Sequence, residues 1–410
     1  MRRFLIGLAS GYKRFRRLLL RLRGQTPASH AARRLATGDS WADFCDTLKA
    51  AGANIMAHPD VDERTQAEGY RYLSRLTRAG LEAFVEFADP RAPVLQRMVH
   101  ETVKMGADNP DNHYQNAVIS GAYEYRITGT RGTVHFLYLS TQKGGYGNGG
   151  NLPPTGALNS NQLKVGPDGQ LDIILSCTPQ IGNWLPMEPD TGILMVRQTF
   201  MNRNRETPAV LRIERIIERS TERSNEHSNE HSNDDGLPSP LTAFDIDEKL
   251  MNAANLVAGA SFLFSKWTRD FQKHTNVLPR FDPNTSTNAG GDPNIAYYHS
   301  YYHIQPDEAL VIDAVPPVCE HWNFQLNNHW MESLDYRYYR IHLNKFSAVY
   351  SADGSIRIVV SHTNPGHPNW LSTTGHTRGT MCWRWIHAES HPQPQTRLVK
   401  LSELAKGSAA

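Results

Sequence analysis

LNSNQLKVGPDGQLDIILSCT, residues 158–178, returns as LNKFSAVYSADGSIRIVVSHT, residues 343–363. After a short loop both stretches reach the tripeptide NWL, at Asn183-Trp184-Leu185 and Asn369-Trp370-Leu371. A glycine (Gly192, Gly379) and an arginine (Arg197, Arg384) follow in each. Leu158-Asn159 pairs with Leu343-Asn344, Asp168-Gly169 with Asp353-Gly354, Ser176 with Ser361 and Thr178 with Thr363. Upstream, Gly106-x-Asp108 with Tyr114 matches Gly290-x-Asp292 with Tyr298. The chain is an old duplication, and positions where the copies differ are the first places to look for function.

Around the repeat the texture is that of short strands. YEYRIT, TVHFLYLS, LDIILS, ILMVRQTF and VLRIERII alternate apolar and polar residues and are bounded by Gly, Pro, Asn or Asp. Helical spacing precedes each block. Ser40 is placed to cap a short helix carrying Trp41, Phe44 and Leu48. A longer helix follows Asp62, with a stripe of Tyr70, Leu73, Leu76, Leu81, Phe84 and Phe87, and Asp89-Pro90 ends it. In the second copy Leu250, Ala253, Val257, Ala260, Phe264, Trp267 and Phe271 form a core-facing stripe.

Each copy therefore reads as a helix, a GxD loop and roughly six strands. The expected fold class is α+β, an internally duplicated helix plus antiparallel, jelly-roll-like β-sandwich. Two sandwiches and one larger β body both fit. The expected organisation is a basic amphipathic segment and linker (1–39), a first helix and β repeat (40–218), a Ser/Asn/Glu/His linker (219–241), and a second repeat (242–400) carrying the candidate site.

The 410 residues carry 43 basic and 41 acidic side chains. Eight of the basic ones lie in residues 1–24, which hold no acid. The rest is slightly acidic, which argues against a nucleic-acid-binding body. Residues 1–24 interleave leucines and phenylalanines with arginines, which suits a helix on an anionic membrane surface as well as a plain basic tail. No stretch reaches the roughly 20 apolar residues that would span a bilayer. The four cysteines form no CxxC pair, so neither a disulfide framework nor a zinc ribbon is expected. This usage suits the cytoplasm, with the inner membrane face within reach of residues 1–24. A tandem SNEH near residue 230 reads as a solvated linker whose His227 and His231 bind metal only loosely.

The NWL element reads first as architecture, with a buried Trp anchor and a Gly that permits a turn. Arg197 and Arg384 sit within apolar strands, where an arginine must pair with a carboxylate or line a cavity. The copies differ more sharply around NWL. SCTPQIGNWLPMEPDTG in the first becomes SHTNPGHPNWLSTTGHTRG in the second. His362 replaces Cys177, His367 falls opposite Ile181, and His376 falls near Glu188 and Pro189. Three histidines around one Trp suit general acid/base work. A divalent metal is the alternative, although HxH and HExxH spacings are missing. Ordinary hydrogen-bonded histidines are the structural alternative.

A second divergence sets NNHWMESLDYRYYR (327–340) against the glycine-rich TQKGGYGNGGN (141–151). The first offers His329, Trp330, Glu332, Asp335 and Tyr336; the second suits a lid. There is no phosphate loop, GxSxG, GxGxxG or reactive cysteine context, so no organic cofactor is expected. The aromatic run Tyr297, Tyr298, Tyr301, Tyr302, Trp322 and Trp330 suits a pocket for a hydrophobic or ring-containing ligand.

The DG-x-L-x-I-x-L-S-x-T strand pair and the NWLP motif resemble a bacterial family of unknown function, number twelve-fourteen in its series. Asp168, Gly169, Asn183, Trp184, Leu185, Pro186, Gly192 and Arg197 match its pattern, while Met187-Glu188 replaces its usual Ala-Pro. The second copy keeps Asp353, Gly354, Asn369, Trp370, Gly379 and Arg384. Its PGHPNWLSTTGH is similar to the PGHPNWLDTAGH of a related bacterial group, with Ser372 where Asp is usual. The resemblance covers most of residues 62–386. It implies a β-rich protein and, from relatives in degraders of steroids and other hydrophobic compounds, a hydrophobic small-molecule partner.

The combined expectation is an enzyme acting on a steroid-, lipid- or terpenoid-like molecule by hydrolysis, hydration or isomerisation. His376 would act as acid/base, assisted by His362 or His367, with Glu332 or Asp335 orienting a histidine. Arg384 or Asn369 would hold an oxygen anion, and Trp370, Tyr336 and Trp330 would line the substrate. The competing expectation is a non-catalytic lipid- or glycan-binding protein at the membrane surface.

Overall fold

The computed structural model describes residues 26–56, 61–144, 152–217 and 237–407. The basic segment 1–24, the tandem SNEH and most of the 141–151 loop lie outside the described residues.

Three helices open the described chain: α1 (Pro27–Thr37), α2 (Asp39–Met56) and α3 (Glu63–Leu81), the last running on into a π turn. Asp62 caps α3 by accepting the Thr65 N–H at 2.8 Å. Ser40 does not cap. It lies inside α2, buried, and donates at 2.6 Å to Asp247 on α4 (Ala243–Phe271). That bond shows how the helices assemble. The long helix of the second copy packs on α1, α2 and α3 of the first, burying Phe44, Ala79, Phe84, Leu250, Ala253 and Leu256. Among the described helices none is long and apolar enough to cross a membrane.

Among its described residues the first β block holds eight strands: β1 (Asn112–Val118), β2 (Tyr125–Thr130), β3 (Phe136–Lys143), β4 (Pro154–Asn159), β5 (Gln170–Ser176), β6 (Asn183–Pro186), β7 (Thr191–Thr199) and β8 (Val210–Arg215). They form two four-stranded sheets, β1-β7-β3-β4 and β6-β5-β2-β8. After the short helix α5 (Pro283–Asn288) the second block repeats the set: β9 (Ile295–His303), β10 (Glu308–Ala314), β11 (Cys319–Leu326), β12 (His342–Asn344), β13 (Ile356–Ser361), β14 (Trp370–Ser372), β15 (Arg378–Ala388) and β16 (Gln395–Lys400). Its sheets, β12-β11-β15-β9 and β14-β13-β10-β16, match the first pair strand for strand. The copies thus make two sandwiches, each with its own core. Ile127, Leu139, Ile173 and Val196 fill the first; Tyr298, Phe324, Ile358 and Trp383 fill the second. A short helix, α6 (Leu401–Gly407), closes the described chain.

The repeated motifs do the same work in both copies. The Asn183 amide donates to Lys164 O and Asp172 O and accepts the Lys164 N–H. Asn369 donates to Val349 O and Arg357 O and accepts the Val349 N–H. Each pins a parallel strand pair of its sandwich, β5–β6 or β13–β14. The Trp184 and Trp370 indoles donate to Ser176 and Ser361. Gly192 and Gly379 are needed for close approach rather than for a turn. A Cβ would sit 2.1 Å from Gly144 O in one case and 2.3 Å from Asn327 O in the other.

Candidate functional site

The two repeat arginines lie at the same place in their sheets, and strand register shows what each faces. Arg197 on β7 stands between Tyr114 of β1 and Tyr138 of β3. Arg384 on β15 stands between Tyr297 of β9 and Asn323 of β11. Tyr297, not Tyr298, is therefore the counterpart of Tyr114; Tyr298 points into the core and donates to His391 O. The copies also grip each other reciprocally. Arg384 donates to Ala107 O in the first GxD loop, and Arg197 donates to Gly290 O in the second.

Between the sandwiches this exchange leaves a cleft of about 170 Å³. Equivalent residues from both copies line it: Gly106 and Gly290, Asp108 and Asp292, Tyr114 and Tyr297, Asn116 and His299, Arg197 and Arg384. Phe264 and Trp267 of α4 close one side. The GxD glycine is required there, because Gly106 has φ 63° and a Cβ would sit 2.8 Å from the Phe264 ring. A smaller hollow of about 50 Å³ adjoins the cleft through Asn109, Asn112, Arg197, Asp292 and Ile295, and is walled by Phe136, Tyr138 and Asn159.

The family described as a protein of unknown function, DUF1214, matches residues 110–200 and 306–390, one segment in each sandwich. A crystal structure of an uncharacterised protein from Burkholderia cenocepacia is 50% identical, covers 91% of this chain and 99% of its own, and superposes with a TM-score of 0.84. This chain belongs to the DUF1214 family. The VPA0106 protein from Vibrio parahaemolyticus is more distant, at 12% identity over 81% of this chain and 98% of its own, with a TM-score of 0.46. No curated protein matches. The two DUF1214 segments include both cleft arginines and Tyr114, and leave Tyr297, His299 and the α4 aromatics outside.

Arg384 is 4% exposed. Its guanidinium donates to Asn323 Oδ1 at 3.2 Å and Gln325 Oε1 at 2.6 Å besides Ala107 O. Among the described residues no carboxylate bonds it directly; its electrostatic neighbours include Cys382, Tyr114, Tyr297, Asp111 and Asp108. Burial raises both phenols, so Tyr114 and Tyr297 keep their protons. Tyr114 accepts the Asn109 N–H at 3.0 Å. Burial and then Arg384 push His299 down to about 3, leaving it neutral. Its ring stacks between Phe271 and Tyr297, and its Nδ1 has no hydrogen-bond partner among the described residues. The neighbouring Cys382 thiol is pushed up to about 11 by burial, which excludes a ready thiolate. Burial raises Asp108, whose oxygens are taken by Ser333 N and Oγ at 2.9 and 2.8 Å. Asp292 accepts from Asn294 N and Nδ2.

The residues singled out for catalysis and substrate binding are dispersed, and Arg384 lines the cleft together with the repeat arginine Arg197 and Tyr297 of the aromatic run. His376 Nε2 lies 3.0 Å from Glu68 Oε1 on α3, and its Nδ1 meets Thr373 O and Thr374 Oγ1, each at 2.9 Å. His362 lies next to it through Thr373 Oγ1 and bonds Ile304 O. His367 is elsewhere, accepting the Asn369 N–H at 3.1 Å; burial and the charges of Arg357 and Arg340 lower it. Glu332 is buried on Arg75 and Asn328, and Asp335 pairs with Arg337 at the surface. Neither orients a histidine. Trp330 sits in the helical core and donates to Thr65 O. The Tyr336 ring lies 4.6 Å from the Lys104 ammonium. Asn369 and Trp370 hold strands, as described above. Among the described residues no three His, Cys, Asp or Glu side chains gather to hold a metal ion.

Sequence reasoning placed Tyr297 in an aromatic pocket but matched Tyr298 with Tyr114, and it missed the cleft roles of His299 and Trp267 and the contact of Asn323 with Arg384. A usable signal existed in HWNFQL, where Asn323 and Gln325 interrupt an apolar strand on one face.

Proposed function

We propose that this protein binds a ring-sized hydrophobic small molecule in the cleft between its sandwiches, as a binding protein rather than a catalyst. The observation carrying this reading is the lining, drawn pairwise from both copies and roofed by Phe264, Trp267 and Tyr297. Engineered apolar cavities of about 150 Å³ accept benzene, so a cleft of about 170 Å³ suits one ring rather than a fused-ring skeleton. Binding is favoured over acid/base chemistry because the cleft's His299 titrates far below neutrality and its tyrosines above. Both ring nitrogens of His376 face oxygens of the protein, which leaves none open to a substrate proton.

The test is thermal unfolding with cyclohexanol, benzyl alcohol and indole. Wild type and His376→Gln should gain stability with rising ligand, and Ala289→Phe, which fills the cleft from its lining, should not. Loss of binding in His376→Gln with retention in Ala289→Phe would overturn the reading and move the ligand to the histidine loops.

A further inference from the structure

We infer that the cleft's ligand is an organic monoanion, a ring carboxylate whose carboxylate sits against Arg384, Tyr297 and Tyr114. This rests on the binding reading above and names the ligand's chemical class.

A buried guanidinium is costly to leave without an opposite charge. The Arg384 guanidinium has five N–H donors, of which neutral oxygens of Asn323, Gln325 and Ala107 take three. Its charge is therefore solvated by dipoles, and among the described residues no carboxylate bonds it directly; Asp111 and Asp108 act on it only through space. Two phenol protons stand beside it. Tyr297 packs its ring at 5.7 Å from the guanidinium, and its hydroxyl bonds no described residue. Tyr114 uses its oxygen to accept the Asn109 N–H, which leaves its proton to donate. All three side chains line one cleft and present donors to it. The two acids of the lining do not answer that need, because Asp108 is tied to Ser333 and Asp292 to Asn294.

The two carboxylate oxygens would accept from the guanidinium and the phenols. The ring would extend toward Phe264 and Trp267, the apolar side of the same space. A planar carboxylate is favoured over a phosphate dianion, because it places less charge near the two resident acids.

The experiment compares benzoate and cyclohexanecarboxylate with their primary amides by calorimetric titration into the full chain. The amides keep shape and size and lose the charge. The carboxylates should bind at least about tenfold tighter than the amides. Tyr297→Phe should cut that carboxylate-over-amide preference about tenfold. Arg384→Gln should abolish it, and Tyr297→Phe keeps the test valid if Arg384→Gln fails to fold. Equal affinity for acid and amide, with neutral rings still excluded by Ala289→Phe, overturns the anion and leaves the binding reading standing. No binding by acids, amides or neutral rings overturns both.

Discussion

The interface between the sandwiches has two sockets built on one plan, and they have been filled differently. In the second sandwich His321, Asn323 and Asn344 form a polar socket on β11 and β12. Asp111 of the first copy's loop is buried in it, with Asn323 Nδ2 and Asn344 Nδ2 each donating at 2.9 Å and His342 and His321 at 3.3 and 3.5 Å. Register places Phe136, Tyr138 and Asn159 at the equivalent positions of the first sandwich, with Asn294 in register with Asp111. Asn294 does not enter its socket; it is exposed and bonds Asp292. What remains is the hollow under Phe136 and Tyr138. A duplicated backbone thus yields a latch on one side and open space on the other, through exchanges at a few paired positions.

The largest effect should separate the sockets directly. Asp111→Ala strands buried donors and should cost about 3–5 kcal/mol of unfolding free energy in urea. Asn294→Ala should cost under about 0.5 kcal/mol. Equal costs would end the distinction. Burial alone would raise the Asp111 carboxyl, but the His321 and His342 hydrogen bonds hold it below its ordinary value. Its contribution should therefore be present at neutral pH and fade as pH falls below the ordinary carboxylate range.

The cleft differs in the same way, since His299 stands where the first copy has Asn116. With His299 lowered to about 3, the unfolded chain takes up this proton first as pH falls below about 6.5. Its stability contribution is complete above about 6.5 and is lost on the way down, by about 3 kcal/mol at pH 4.5. His299→Asn, which makes the copies alike, should shrink the difference in unfolding free energy between pH 7 and pH 4.5 by that amount. An unchanged difference would mean that the ring is protonated in the folded protein.

Where the copies are alike, the effects should be alike. Asn183→Ala and Asn369→Ala each remove three hydrogen bonds to backbone and should each cost about 2 kcal/mol. A clear inequality between them would show that the two parallel strand pairs do not carry equal weight. A smaller change is expected at His376→Gln. Breaking its pair with Glu68 should cost about 1 kcal/mol and leave ligand binding in the cleft untouched. A loss of binding there would tie the histidine loops to the cleft.

Much of the fold was legible. Alternating runs marked the strands, and the repeat ensured that whatever the first block formed the second would form too. Short strands such as β12 and β14, three residues each, were too brief to show an alternating pattern, so eight strands per copy read as fewer. The site was less legible. Concentrating on differences between the copies led to the NWL histidines, whose rings are bound by Thr373, Glu68, Ile304 O and Asn369 N. The cleft is built instead from positions the copies share, and Arg384 was flagged because a charge inside an apolar strand needs a reason.

By itself the sequence determined the duplication, the strand texture, the architectural part of the NWL tryptophans and the two arginines that needed a partner or a cavity. These are local patterns, with periods of two or of three to four residues and short motifs. Only the tertiary structure decided that each copy's GxD loop is gripped by the other copy's arginine, that Tyr297 rather than Tyr298 faces Arg384, and that one socket is filled and the other hollow. Those outcomes depend on residues far apart in the chain, such as Arg384 and Ala107, separated by 277 positions. Which faces of two sheets meet is set by burial over the whole molecule, and no local period encodes it.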